Sequence, residues 1–97
     1  MGNPKEGIYE FPDQQNPGKS YVGQSKDVDA RLKTHEQNGR LEPGTETQTD
    51  VPGGQTAREI AEHRRIQEKT GGVPARDSDA VSNKKDPIGP KRQDLLR

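Results

Sequence analysis

Residues 7–23 read Gly7-Ile8-Tyr9-Glu10-Phe11, then Pro12-Asp13-Gln14-Gln15-Asn16-Pro17-Gly18, then Lys19-Ser20-Tyr21-Val22-Gly23. Two short runs of branched and aromatic residues flank a dense turn cluster, which predicts strands over 7–11 and 19–23 paired as an antiparallel hairpin with a long loop. Period-two alternation puts Tyr9 on the face opposite Ile8. Downstream, residues 27–37 predict a helix. Ser25 or Asp27 can cap it, Val28 and Leu32 share a face at i and i+4, and Asn38-Gly39 ends it. Residues 46–51 (ETQTDV) predict a third strand. Thr56 followed by Glu59 has capping-box spacing, in which each side chain satisfies a backbone donor near the other. It opens a helix over 56–69 with Ala57, Ile60 and Ala61 as its buried face, closed by Gly71-Gly72. Residues 73–97 show no sustained period. The sum is a single α+β domain, with a core over about 7–83 and a basic irregular tail over 84–97.

Composition limits what this domain can be. Of 97 residues, 23% are hydrophobic and 33% charged, with 11 Gly and 8 Pro, close to the border of disorder. The candidate core is Ile8, Phe11, Tyr21, Val22, Val28, Leu32, Leu41, Val51, Ile60, Ile66 and Val73, with Leu95 and Leu96 as further members. So few large apolar side chains predict marginal stability, and the last twenty-odd residues are expected to pack loosely. No apolar run approaches the ~20 residues that span a bilayer, so no membrane partner is expected. The first residues lack the basic and apolar regions of a secretion signal. The absence of Cys excludes disulfides and cysteine-based zinc sites. Two histidines far apart in sequence do not build the usual zinc sets.

Charge is balanced overall, with 16 basic and 16 acidic residues, but unevenly placed. Residues 1–50 carry 6 basic and 9 acidic groups; residues 51–97 carry 10 and 7. The basic surplus falls on Arg58, Arg64, Arg65 and Lys69 of the second helix and on Lys84, Lys85, Lys91, Arg92 and Arg97 of the tail. That is a modest electrostatic footprint for nucleic acid.

The residues with reactive potential are Tyr9 and Tyr21 on the strands, Arg31 and His35 four apart on the first helix, and Glu62-His63 on the second. Taken singly, each has an ordinary structural reading. Their order carries more. Gly7-Ile8-Tyr9, eleven residues, then Tyr21-Val22-Gly23 resembles the paired triplets of the GIY-YIG nuclease superfamily, with Val in place of Ile in the second. The stretch YVGQSKDVDARL looks like the same region of that superfamily's excision-repair incision nucleases, with Lys26, Asp27 and Arg31 in matching places. Arg31 with His35 is similar to the Arg-x-x-x-His pair of its restriction and homing members. Glu62-His63-x-x-Ile66 matches the Glu-containing helix, and Thr47–Val51 falls where a third strand precedes it. Asn83 lies in the order of the later Asn, at a longer spacing from Glu62.

The resemblance implies a three-stranded antiparallel sheet flanked by helices, and a metal-dependent endonuclease hydrolysing phosphodiester bonds, most readily of DNA. It gives Tyr9 the water-activating role. A phenol of ordinary pKa ~10 is a weak base at neutral pH, so a cation must lower it or Lys26 or His35 must take its proton. Arg31 supplies a permanently charged fork for a phosphate. Glu62 is the expected anchor for one hard divalent cation, Mg²⁺ or Mn²⁺, completed by water and substrate oxygens. Tyr21 is expected to donate a hydrogen bond or orient the water, and Asn83 to orient the site. His63 is read as structural.

The tail AVSNKKDPIGPKRQDLL (80–96) is similar to the C-terminal ends of bacterial polymorphic toxins of the Rhs and contact-dependent inhibition types. That resemblance implies a tip domain delivered by a larger secreted carrier and active in the target-cell cytoplasm. It also implies a cognate immunity protein, acidic, covering the Tyr9–Arg31–Glu62 cleft. The alternatives are a cellular repair or restriction-type nuclease module, a domain that grips nucleic acid without cutting it, and a partly disordered interaction segment.

Overall fold

The structure is a computed structural model, and it describes residues 5–73, 75 and 78–83. The order of elements is β1 (Gly7–Pro12), β2 (Ser20–Ser25), α1 (Val28–Gln37), β3 (Thr47–Asp50) and α2 (Gln55–Thr70). The strands form one antiparallel sheet in the order β2-β1-β3. The protein is therefore an α+β domain with a three-stranded antiparallel sheet and two helices.

The hairpin register pairs Tyr9 with Gly23 and Phe11 with Tyr21. Strand alternation then divides the core in two. Tyr9 and Phe11 pack with Val28 and Leu32 of α1 and with Leu41, and Tyr21 leans against them. Val22, opposite Glu10 and so facing the other way, packs with Ile66 of α2 and with Ala75 and Val81. The two helices thus cover opposite faces of the sheet.

Sequence cues explain most boundaries. Asp27 caps α1 by accepting from the Ala30 N–H at 3.2 Å, while Ser25 Oγ accepts from the Asp27 N–H at 2.9 Å. Asn38 ends the helix. At the far end of α2, Gly71 takes the left-handed conformation (φ 67°), and the Gly72 N–H reaches the Gln67 carbonyl at 3.1 Å.

The expected capping box is corrected. Helix α2 starts at Gln55, one residue early, with Gly54 as its N-cap and no side-chain cap bond. Gly54 has φ 90°, and its N–H donates to Glu6 Oε1 at 2.8 Å. Glu6 also pairs with Arg58, and Arg58 Nε donates to Gln24 Oε1 at 2.8 Å. A carboxylate at the positive end of the helix replaces the hydroxyl cap. Thr56 is consequently inside the first turn.

The core expectation is corrected as well. Ala57, Ile60 and Ala61 are only half-buried and line a surface groove with Ile8 and Thr49, while α2 buries His63 and Ile66. Ile8 and Val51 are half-buried and Val73 is 43% exposed. Leu95 and Leu96 lie outside the described residues. Tyr9, Ala75 and Val81 take these places in the core. Residues 80–82 are not loosely packed, and residues 84–97 lie outside the described residues. Val81 bridges Ser20 in parallel, Ser20 N–H donates to the Ala80 carbonyl at 3.0 Å, and Ser82 N–H donates to the Ser20 carbonyl at 2.8 Å.

Candidate active site

The site grows from the Tyr9–Gly23 pair. Gly23 has no side chain, and the Tyr9 ring lies over it: a Cβ there would run into Tyr9 Cζ and Oη. The hairpin register thus sets where the phenol ends, and a glycine at 23 makes room for it. Gly7 is similarly constrained, since a Cβ would meet the Thr49 carbonyl oxygen of β3.

The Tyr9 hydroxyl meets His35 Nε2 at 3.0 Å. When the imidazole carries its proton on Nδ1, the phenol donates and Nε2 accepts. His35 sits over three rings, with centroids 5.6 Å from Tyr9 and 5.1 Å from both Phe11 and Tyr21. Burial lowers its pKa below the ordinary imidazole value, and the Arg40 and Arg31 charges act the same way against the opposing Asp13. The imidazole is therefore neutral at physiological pH and able to accept a proton.

Tyr9 itself is only 2% exposed. Burial, and then the Tyr21 phenol, push its pKa up to about 12; Arg31 opposes the shift and the Glu62 carboxylate adds to it. Tyr21 is also raised, first by burial, with Arg40 and Arg31 opposing and Glu62 and Asp13 adding. Arg31 and Glu62 therefore both act on these phenols, although one comes from α1 and the other from α2. A phenol from β1, an imidazole and a guanidinium from α1 and a carboxylate from α2 share one neighbourhood.

Of the two expected routes to an active phenol, lowering by a cation is represented by Arg31, whose effect on Tyr9 is smaller than that of burial. Proton acceptance by His35 is geometrically available. Lys26 does not join the group. It is exposed on the short β2–α1 connection, and no hydrogen bond or ion pair among the described residues ties it to Tyr9. Asn83 grips β2 instead of the phenol: its Oδ1 accepts from Val22 N–H at 2.9 Å and its Nδ2 donates to the Val22 carbonyl at 2.7 Å. It fixes the residue between Tyr21 and Gly23, so any influence on the site passes through the strand. His63 is 3% exposed in the α2 core.

Glu62 is half-buried. Burial raises its pKa to about 7, and the nearby Glu59 carboxylate adds to the effect. Both causes disfavour negative charge, so a cation placed there would relieve both. No group of three or more His, Asp or Glu forms a closed metal cage among the described residues. A magnesium-type ion does not require one, since it commonly takes one or two carboxylates and keeps water and phosphate oxygens as its other ligands. The donor set fits an open site of that kind, with Glu62 as the holding residue.

Sequence reasoning passed over Arg40 and Asp13. Arg40 lies over the Tyr21 ring, 4.1 Å from its centroid, and its Nε donates to Asp13 Oδ2 at 2.8 Å. Asp13 falls in the turn cluster and Arg40 just after the helix, where both look like solvated loop charges.

No family model, curated protein or solved structure matches the chain.

The glycine contact leads to a direct expectation. Gly23→Ala keeps an allowed backbone conformation but drives a methyl group into the Tyr9 ring. Overpacking of this kind costs about 1–3 kcal/mol, and the phenol must leave His35. The variant is expected to remain folded by circular dichroism, and its His35 NMR resonances should shift. Unchanged His35 resonances would contradict the placement of the ring.

Proposed function

We propose that the protein is a metal-dependent endonuclease of the GIY-YIG type that hydrolyses phosphodiester bonds of DNA. The observation that carries the reading is the 3.0 Å contact between the Tyr9 phenol and a neutral His35, in the field of Arg31 and Glu62. Hydrolysis needs a route for the proton of the attacking water, positive charge at the phosphorus, and help for the leaving oxygen. His35 takes the Tyr9 proton, which lets Tyr9 Oη in turn accept one from water. Arg31 holds the non-bridging phosphate oxygens. Glu62 holds the divalent ion, which supplies charge neutralisation on the phosphate when bound. Tyr21 and Asn83 keep β2, and with it the Tyr9–Gly23 contact, in place.

The test of substrate class is direct. Supercoiled plasmid and a single-stranded RNA of similar length are incubated side by side with the purified chain and Mg²⁺ or Mn²⁺. Plasmid is expected to be nicked and then fragmented, with EDTA abolishing the reaction. Intact plasmid, or cleavage confined to RNA, would overturn the reading. With no net charge on the chain, binding rests on local cation contacts and counterion release. Cleavage should therefore fall steeply between about 50 and 200 mM salt, and activity indifferent to salt would count against DNA as the substrate.

The toxin setting is part of the same proposal and is supported by the sequence likeness of the tail, most of which lies beyond residue 83. Cytoplasmic expression in a bacterium is expected to arrest growth and degrade the chromosome, whereas Tyr9→Phe at equal abundance is tolerated. An acidic immunity protein that covers the Tyr9–Arg31–Glu62 cleft would protect the producing cell. Equal growth with both forms would contradict the toxin setting.

A further inference from the structure

The β1–β2 loop contains a buried carboxylate that the proposed chemistry does not use. The Asp13 side chain is completely buried. Burial pushes its pKa up, but hydrogen bonds from Ser82, Gln15, Asn16 and Arg40 outweigh that and hold the carboxyl below the ordinary range. Gln15 N–H, Asn16 Nδ2 and Arg40 Nε reach it at 2.9, 3.0 and 2.8 Å. Arg40 is fixed from other sides too. Its Nη2 donates to Ser82 Oγ at 3.3 Å, its backbone N–H donates to the His35 carbonyl at 3.0 Å, and its carbonyl accepts from Gln14 N–H at 2.9 Å. A guanidinium so constrained has little freedom to follow a substrate. Its free face lies on Tyr21, whose ring stands 5.1 Å from His35.

We propose that Arg40 is a positioning residue of this site: pinned by Asp13, it sets the Tyr21 ring against His35 and places a fixed positive charge beside the imidazole that the Tyr9 phenol hydrogen-bonds. Its catalytic consequence rests on the nuclease reading; its effect on His35 does not. The groups facing His35 are Tyr9 from β1, Asp13 from the β1–β2 loop, Tyr21 from β2, Arg31 from α1 and Arg40 just after α1. Among the charges that move its titration, Arg40 acts most strongly, and Asp13 acts in the opposite sense and more weakly. Loss of the Arg40 charge therefore lets His35 protonate at higher pH, where it can no longer accept the Tyr9 proton.

The experiment is an NMR titration of the two histidines in the full chain, with His35→Gln identifying the His35 signals. Wild type, Arg40→Lys, Arg40→Gln and the double variant Asp13→Asn/Arg40→Gln are compared. The double variant replaces the ion pair with a neutral amide pair, so it avoids the unpaired buried carboxylate that can unfold Arg40→Gln. His35 is expected to titrate below the ordinary imidazole value in wild type and Arg40→Lys, and to move up toward that value in folded Arg40→Gln and in the double variant. The acid limb of cleavage should move up with it. An unmoved His35 midpoint in the folded double variant overturns the proposal. A moved midpoint in preparations that never cut nucleic acid leaves the role of Arg40 standing and removes the nuclease reading alone.

Discussion

Replacing Tyr9 with phenylalanine is expected to leave the fold intact and to lower cleavage by about 10²- to 10⁴-fold, the usual range for loss of a positioned acid–base group. The ring supplies the packing against Phe11, Val28, Leu32 and Leu41, and phenylalanine keeps it. The hydroxyl supplies one hydrogen bond to His35, and removing it costs stability on the order of 1 kcal/mol. The separation matters because Tyr9 is both a core side chain and the proposed reactive group. A purely structural tyrosine would show the small stability loss without the loss of cleavage. The measurement is initial nicking rate beside thermal denaturation of the same preparations. Retention of more than a tenth of the wild-type rate by the folded variant would remove Tyr9 from the chemistry.

Glu62→Gln is expected to abolish metal-dependent cleavage and, in EDTA, to make the protein more stable at pH 8. The sign follows from linkage. The Glu62 carboxyl has a folded-state pKa of about 7 against an ordinary 4.5. Raised in the folded state, it leaves stability fully present below pH 4.5, and stability falls as pH rises through about 7. Glutamine has no such loss. The variant and wild type should therefore melt together near pH 4 and diverge across that window. The difference reaches about 1–3 kcal/mol, or on the order of 5–15 °C for a domain this small. Added Mg²⁺ should raise the wild-type melting temperature and leave the variant unmoved, because only the carboxylate holds the ion. Equal melting curves at pH 8 in EDTA would mean that Glu62 is solvated and not half-buried. A residue that costs its fold stability in exchange for activity is a familiar compromise of active sites, and the proposed role of Glu62 would be one.

The strands, their antiparallel pairing and both helices were legible because each depends on local chemistry. Branched and aromatic residues between Gly and Pro mark β1 and β2, Asp27 caps α1, and Gly71-Gly72 ends α2. The start of α2 was misread because its capping partner, Glu6, lies 48 residues away from Gly54. A local Thr-x-x-Glu pattern cannot reveal that competition. The buried face of α2 was misread for a related reason. Its apolar residues suggested Ala57, Ile60 and Ala61, but Ile66 packs with Val22 and Val81, and the helix buries Ile66 and His63. Core membership of Val81 goes with a parallel bridge to Ser20 that no periodicity announces.

The candidate site divides the same way. Tyr9, Tyr21, Arg31, His35 and Glu62 were named from their order along the chain, and the fold brings them into one neighbourhood. Lys26 was named from its place in the resemblance, and it is exposed, with no hydrogen bond or ion pair to Tyr9 among the described residues. The Asp13–Arg40 pair joins two loops 27 residues apart, and neither residue stands out from the charged composition around it. Spacing reveals residues that share an element. It does not reveal a pair joined only by tertiary closure.

The most direct measurement compares four preparations on one supercoiled plasmid at about 50 mM salt, where electrostatic binding is strong: wild type, Tyr9→Phe, Arg31→Ala and Glu62→Gln, each with Mg²⁺ or Mn²⁺ and each with EDTA. A shared centre for phosphodiester hydrolysis predicts relaxed and linear products from wild type with metal alone, and plasmid left supercoiled in the other lanes. Supercoiled plasmid in the wild-type lane with metal, or cleavage undiminished by Arg31→Ala, would contradict it.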